Sequence, residues 1–182
     1  MTASTLTGNT ARVGGAIEVE GASFFYLRNS TLTGNSARPG AGGAIDTYEC
    51  GGGIVSYTTI GGNSSGLDLP CSNVEVTGTI LASSVPGANC LGLAPREAAG
   101  YNLDSGASCH LAKPTDLTGG HPRLGPLADN GGAARTRAST RGSAAIGHGG
   151  TRATGCPATD QRGVPRPAGQ RCDIGAVEVR PG

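Results

Sequence analysis

An internal repeat restricts the fold of this chain more than any other feature of its sequence. The octapeptide Ser-Thr-Leu-Thr-Gly-Asn-Thr-Ala at residues 4–11 returns at 30–37 with one change, and a looser copy follows at 58–64. A Gly-Gly-Ala-Ile segment at 14–17 also returns, at 42–45. Copies spaced by between about 20 and 50 residues are typical of solenoids, in which each repeat forms one coil that stacks on the next.

Each copy has the pattern of a short strand that ends in a turn. Polar and aliphatic residues alternate along Ser-Thr-Leu-Thr, and the glycine and asparagine that follow favour a turn. If the coils pair as parallel strands, equivalent aliphatic residues lie about 4.8 Å apart in columns. The sequence therefore predicts an all-β chain that forms a short parallel β-helix of about three to four coils. The expected core columns are Leu6, Leu32, Ile60 and Ile80, then Ile17 and Ile45, then Leu27 and Val55.

Equivalent asparagines are expected to form a polar column beside these apolar ones. Asn9, Asn35 and Asn63 each follow the turn glycine. Because an amide group has two donor hydrogens and an acceptor oxygen, stacked asparagines can bond to one another and to turn backbone. We therefore expect a structural asparagine ladder, which should end at Ser83.

Composition supports a narrow solenoid with a separate C-terminal region. The chain has 33 glycines, two Phe and no Trp, which disfavours long helices and leaves an aliphatic core. Residues 1–93 carry the coils, whereas 94–182 lack clear periodicity. We interpret the second region as an irregular cap that closes the end of the solenoid. Asp160 and Arg162, together with Arg166, are expected to form an ion pair that fixes this cap.

Charge and cysteine content indicate an exported protein. The formal charge of +1 predicts no attraction to nucleic acid, and no stretch approaches the ~20 apolar residues of a membrane helix. Six widely spread cysteines suit disulfides in an extracellular or cell-surface protein. The first residues lack the features of a signal sequence, so either the chain is a fragment whose signal sequence lies upstream or the cysteines are reduced in the cytosol. The chain opens within a repeat, which favours the fragment. We therefore expect a fragment, with upstream coils of the same polypeptide as its neighbours.

The motifs resemble those of known exported β-helix proteins. The Gly-Asn coils resemble bacterial surface β-helices, including the polymorphic outer-membrane-protein repeats. The C-terminal motifs are more specific. They are Asn-Cys-Leu-Gly at 89–92, Gly-Tyr-Asn-Leu at 100–103, Ser-Cys at 108–109, Leu-Gly-Pro-Leu-Ala-Asp-Asn-Gly-Gly at 124–132, Gly-Ser-Ala-Ala-Ile at 142–146, Cys-Pro-Ala-Thr-Asp-Gln-Arg-Gly at 156–163 and Cys-Asp-Ile-Gly-Ala-Val-Glu at 172–178. With these motifs the chain resembles the choice-of-anchor Q family of exported right-handed parallel β-helix proteins. Family members usually carry a signal sequence, more coils and often a surface anchor.

This resemblance implies a right-handed helix and a disulfide framework. It pairs Cys90 with Cys109 and Cys156 with Cys172, which leaves Cys50 to pair with Cys71. We expect a non-catalytic structural or adhesive surface module that binds surface glycans or proteins and needs no cofactor. An acidic residue commonly follows the Ala-Ile of the Gly-Ser-x-Ala-Ile motif. Here Gly147 and His148 stand there instead, which weakens any metal or catalytic role for that turn.

Two other functions are compatible with parts of the sequence. Many β-helices cleave uronate polymers, and a lyase or hydrolase of that type would use clustered carboxylates, with calcium as a cofactor. The candidates are Glu18, Glu20, Asp46 and Glu49, of which Glu18 and Asp46 should stack one coil apart, but residues 1–109 contain no Lys or His. The three histidines, at 110, 121 and 148, are too scattered to predict a metal site.

The remaining alternative is ice binding through rows of threonines. Thr5 and Thr7 would stack on Thr31 and Thr33 as a two-coil Thr-x-Thr patch, but the third copy breaks the pattern with Gly61. Two rows make a small patch, so ice binding is the most remote of the three functions.

Overall fold

The computed structural model describes residues 1–39, 41–70, 73–82 and 88–180, without the side chain of Glu49. These residues form short strands joined by turns, with two short 3-10 helices, Tyr48–Cys50 and Arg152–Thr154. The strands are β1 (Thr5–Thr7), β2 (Ile17–Val19), β3 (Phe24–Arg28), β4 (Thr31–Thr33), β5 (Ile45–Thr47), β6 (Gly52–Ser56), β7 (Thr59–Gly61), β8 (Leu67–Asp68), β9 (Asn73–Thr77), β10 (Ile80–Ala82), β11 (Cys90–Leu91), β12 (Ala98–Gly100), β13 (Leu103–Asp104) and β14 (Leu117–Thr118).

The strands stack in three parallel sheets, so the chain is a parallel β-helix. Sheet 1 has the order β1-β4-β7-β10-β13-β14, sheet 2 the order β2-β5-β8-β11, and sheet 3 the order β3-β6-β9-β12. Every third strand along the chain therefore returns to the same sheet, which gives four complete coils and two further strands of sheet 1 in the described residues. The coil strands continue to Thr118, beyond the predicted boundary at residue 93.

Aliphatic columns fill the space between the three sheets. Leu6 is registered with Leu32 and Leu32 with Ile60, while Ile17 is registered with Ile45. Leu32, Ile45 and Ile60 are fully buried. Leu27 and Val55 form the third column, as the repeat predicts.

The predicted place of Ile80 in the first column is wrong. Ile80 is registered with Thr59, and the next residue, Leu81, is registered with Ile60. Strand β10 has two aliphatic residues in succession, and a shift of one residue exchanges the inner and outer faces of a strand. Leu81 consequently enters the core of the coils, whereas Ile80 points outward and packs with Ala145 and Ile174 of the C-terminal region.

The later part of the C-terminal region covers a side of the solenoid, which the sequence did not predict, whereas its first part supplies β12 and β14, the end strands of two sheets. The Thr31 hydroxyl donates to Gln161 Oε1 at 2.6 Å, and the Thr59 hydroxyl accepts from the Ala176 N–H at 3.0 Å. Both threonines point outward from sheet 1 and are buried. Along sheet 1, the outward-facing residues change from threonines, such as Thr31 and Thr59, to the aliphatic Ile80 and Leu103. These aliphatic side chains give the C-terminal region an apolar face to pack against.

This cover also occupies the threonine rows considered for ice binding. Gln161 Nε2 donates to the Thr5 hydroxyl at 2.8 Å, and Arg137 Nη1 donates to the Thr33 hydroxyl at 3.4 Å. Thr31 and Thr33 are buried. The predicted two-row patch is thus a contact surface within the protein and is not free to bind ice.

A second polar ladder runs along the corner between sheets 3 and 1. The Ser4 N–H donates to the Ser30 hydroxyl at 3.2 Å, and the Thr79 N–H donates to Asn102 Oδ1 at 3.1 Å. Each of these residues follows a corner residue that has a positive φ angle. This left-handed conformation turns the chain sharply. The corner residues are Ala3, Asn29, Tyr57, Gly78 and Tyr101.

Two glycines of the second coil make room for two aromatic rings of the first. Phe24 is registered with Gly52 and Phe25 with Gly53. A Cβ atom at residue 52 would lie 3.0 Å from Phe24 Cδ2, and one at residue 53 would meet the Phe25 ring. The Phe25 ring therefore occupies core space that Gly53 leaves empty, while the Phe24 ring lies over the outer face of sheet 3.

Candidate functional site

The three repeat asparagines form a continuous hydrogen-bonded ladder. The Asn9 N–H and Nδ2 both donate to Asn35 Oδ1, at 3.1 and 2.9 Å. Asn35 donates in the same way to Asn63 Oδ1, at 2.9 Å from each nitrogen. The Asn35 amide also donates back to the Leu6 carbonyl at 3.0 Å. All polar atoms of the Asn35 side chain are thus engaged within the protein, and the ladder has a structural role. Ser83, its expected end, lies outside the described residues.

Replacing Asn35 with alanine should destabilise the protein by about 2–3 kcal/mol, because buried donors and acceptors on both neighbouring coils lose their partners. Urea denaturation followed by circular dichroism measures the change. Asn9→Ala is the matched control, since Asn9 is exposed and water can replace its lost bonds. Equal losses at the two positions would contradict the ladder as a buried stabilising element.

The predicted acidic cluster is a column of carboxylates on the outer face of sheet 2. Glu18 is registered with Asp46, and Asp46 with Asp68. Asp46 is buried and its Oδ2 accepts from the Gly42 N–H at 2.9 Å. Asp68 was missed because the third coil is shorter, so that it follows Asp46 by 22 residues while Asp46 follows Glu18 by 28. Glu20 lies just beyond β2 and is exposed.

The surroundings of Asp68, the third carboxyl group of this column, disfavour its charged form. Burial raises the pKa of Asp68 above its ordinary value of 3.8, and the nearby Asp46 carboxylate raises it further. No group of three His, Cys, Asp or Glu side chains within the described residues is arranged to hold a metal ion. The column therefore offers one carboxyl group that holds a proton more tightly than usual.

Asp68→Asn should raise the melting temperature at pH 7. A raised pKa means that the folded state binds the proton more tightly than the unfolded state, so stability falls as pH rises above 3.8. Asparagine carries no charge at pH 7 and removes this loss. Thermal denaturation at pH 7 and at about pH 3 measures the gain, which should vanish at the lower pH. If the melting temperature of Asp68→Asn at pH 7 is equal to or below that of the unaltered chain, this prediction is wrong.

An exposed aromatic pair lies on the outer face of sheet 3. Phe24 and Tyr26 are 55% and 63% exposed, and their ring centroids are 5.1 Å apart. Ile54 is registered with Tyr26 and is half-buried. We call Phe24, Tyr26 and Ile54 the aromatic surface. Arg28 and Glu75, which lie beside it on β3 and β9, are exposed.

Most of the charged groups buried in the C-terminal region belong to one network. Arg162 Nη2 lies 2.7 Å from Asp160 Oδ2, and Arg166 Nη1 lies 3.1 Å from Glu178 Oε2. Asp173 also belongs to it, and burial raises the pKa of its carboxyl group to about 6. The predicted partnership of Asp160 with Arg162 is present, and Arg166 pairs with Glu178, a partner that the sequence does not predict. A cavity of about 230 Å³ lies beside Asp173 and Glu178, and one of about 440 Å³ lies beside Arg162 and Glu178.

Two disulfides connect segments of the second half of the chain. Cys90 is bonded to Cys109, and Cys156 to Cys172, which are the pairs that the family resemblance implies. Cys71 lies outside the described residues, so its pairing with Cys50 stays a prediction. Among the residues described, no helix has the length and apolar character needed to cross a membrane.

No protein-family model, curated protein or solved structure matches this chain. The resemblance to the choice-of-anchor Q family therefore stays a prediction.

Proposed function

We propose that this chain is a non-catalytic module of an extracellular or cell-surface protein, with a structural or adhesive role, and that its aromatic surface binds glycans or proteins. The observation that carries the proposal is the exposure of two adjacent aromatic rings, Phe24 and Tyr26. Large exposed apolar side chains that cluster on one face mark interaction sites more often than single ones do. The disulfides are compatible with an oxidising compartment.

The three lateral faces of the solenoid differ in what they offer a ligand. The C-terminal region covers the outer face of sheet 1, where Thr31 and Thr59 are buried. The outer face of sheet 2 carries the carboxylate column. The outer face of sheet 3 presents flat rings bordered by the Arg28 and Glu75 side chains, a combination of apolar area and polar rim that suits recognition.

The double variant Phe24→Ser, Tyr26→Ser tests this proposal. Binding to a panel of polysaccharides and to cell surfaces should fall at least tenfold, since each lost ring contact contributes about 1 kcal/mol or more. Tyr48→Ser is the matched control, because Tyr48 is 57% exposed and lies outside the aromatic surface. If the double variant binds as the unaltered chain does, sheet 3 is not the binding face.

A polysaccharide lyase or hydrolase remains the second candidate, and the carboxylate column is the observation that favours it. Asp68, with its raised pKa, would act as the acid and Asp46 as its charged neighbour. Incubation with uronate polymers and calcium should release unsaturated or reducing ends under this alternative only. If the unaltered chain releases such ends and Asp68→Asn and Asp46→Asn do not, the chain is an enzyme and the non-catalytic proposal is wrong.

A further inference from the structure

The cavity of about 440 Å³ lies between three segments of the C-terminal region. The first segment, residues 138–139, is paired in antiparallel fashion with residues 124–125. The second is the turn from Asp160 to Val164, which the Asp160 N–H closes by donating to the Val164 carbonyl at 2.8 Å. The third is the segment 177–180, whose second residue donates its N–H to Asp160 Oδ2 at 2.9 Å. Because backbone hydrogen bonds hold all three segments, the cavity is preformed.

Most of the cavity lining is aliphatic. Ala138, Val164, Val177 and Val179 line it. Val177 is buried, and the other three side chains are half-buried. Sites for small molecules are typically cavities of about 300–1,000 Å³ that are lined mainly by apolar side chains and carry a few polar groups. The volume and the aliphatic lining therefore suit a small ligand with an apolar body.

Ser139 adds a hydroxyl group that the protein itself does not use. The residue lines the cavity and is 7% exposed. Its hydroxyl group makes no hydrogen bond with any residue that the structure describes. Burying a hydroxyl group without a partner costs free energy. An acceptor on a ligand in the cavity would supply the missing partner.

Arg180 supplies the unpaired charge beside this hydroxyl group. It lines the cavity and is exposed, and its guanidinium group pairs with no acidic residue in the described part of the chain. Two other charged residues line the cavity, but each is neutralised. Arg162 lies 2.7 Å from Asp160, and Glu178 lies 3.1 Å from Arg166. The lining thus carries one net positive charge.

The rest of the C-terminal region strengthens this positive potential. Residues 121–182 contain nine arginines and four acidic residues, a formal charge of +5, whereas residues 1–120 contain five basic and nine acidic residues, a formal charge of −4. Three of the four acidic residues in the second part, Asp160, Asp173 and Glu178, are buried. A ligand that approaches this side of the molecule therefore meets a mainly positive surface, which favours an anion.

We propose that this cavity binds a small organic anion in which a carboxylate is attached to an apolar body. The Arg180 guanidinium pairs with the carboxylate, and the Ser139 hydroxyl donates to it. The valines of the lining contact the apolar body. The site lies in the C-terminal region and is independent of any ligand of the aromatic surface.

Titration with benzoate at pH 7 tests this proposal, with the methyl NMR signals of Val164, Val177 and Val179 as the readout. A ligand of this size should bind with a Kd of about 10 mM or lower. Benzamide has the same ring but no charge, so it should bind about tenfold more weakly or worse. Glucuronate carries its carboxylate on a polar body and should also bind more weakly than benzoate.

Two variants separate the roles of the polar groups. Arg180→Gln should weaken benzoate binding about tenfold or more, and Ser139→Ala about fivefold. Neither should lower the melting temperature, because neither side chain has a hydrogen-bonding partner in the described part of the protein. Arg96→Gln is the matched control and should bind benzoate as the unaltered chain does. Arg96 is 77% exposed and lies between β11 and β12, at the corner opposite sheet 1.

Four results would overturn the proposal. The first is a lack of saturation of the valine signals at benzoate concentrations about tenfold above the expected Kd. The second is binding of benzamide as tight as that of benzoate. The third is equal binding of benzoate by Arg180→Gln and Arg96→Gln. The fourth is tighter binding of glucuronate than of benzoate, which would show that the ligand is an acidic sugar without an apolar body.

Discussion

Glu178→Gln is expected to destabilise the protein by about 3–5 kcal/mol, the cost of leaving a buried charge without its partner. The Arg166 and Glu178 side chains are 0% and 1% exposed. Glu178 Oε2 accepts from Arg166 and from the Asp173 N–H at 3.0 Å, and Oε1 accepts from the Ala168 N–H at 2.7 Å. Glutamine has nearly the same shape, so the loss reports on charge and hydrogen bonding and not on packing.

Guanidinium denaturation measures this change, and a surface ion pair provides the control. Arg96 Nη2 lies 3.7 Å from Glu97 Oε1, and the arginine side chain is 77% exposed. Arg96→Ala should therefore cost less than about 1 kcal/mol. A loss of that small size for Glu178→Gln would mean that the buried network contributes little to the stability of the C-terminal region.

Gly43→Ala is expected to destabilise the protein by about 2–3 kcal/mol, because the added methyl group has no space. A Cβ atom at residue 43 would lie 2.5 Å from the Ser65 backbone nitrogen in the next coil. The Gly43 N–H also donates to the Ser65 hydroxyl at 2.7 Å. The coils would have to separate at this corner, and a separation would strain the strand pairing on both sides.

Thermal denaturation of Gly43→Ala is best compared with Gly169→Ala. A Cβ atom at residue 169 would have no neighbouring atom within 4 Å. Alanine there should leave the stability unchanged or raise it slightly, through the smaller entropy of the unfolded chain. If both variants have the melting temperature of the unaltered protein, the close contact with Ser65 does not restrict which residue fits at position 43.

The repeat predicted most of the coil architecture because each coil has the same local pattern as the next. Leu6, Leu32 and Ile60 could be aligned by spacing alone, and so could the asparagine ladder. The prediction for Ile80 failed where two aliphatic residues follow one another, since alternation then no longer distinguishes the inner face from the outer. Asp68 was missed where the coil length changes.

The position of the C-terminal region could not be predicted, because its contacts join residues that are far apart in the sequence. Thr31 and Gln161 are separated by 130 residues, and Ile80 meets Ile174 without any shared periodicity. The aromatic surface was also missed as a candidate site. The sequence shows that two glycines replace two phenylalanines in the second coil, but not that only Phe25 would turn inward.

The lateral cover also sets the order in which the protein can fold. Gln161 Nε2 donates to the Ser4 carbonyl at 3.1 Å across 157 residues, so the first coil acquires its cover only when nearly the whole chain has been synthesised. Contacts over such separations form slowly, and partly folded intermediates with apolar faces aggregate. The outward-facing Thr5 and Thr31 are polar, so the first coils stay soluble during that interval. The apolar outward-facing residues Ile80 and Leu103 lie on coils that are synthesised later.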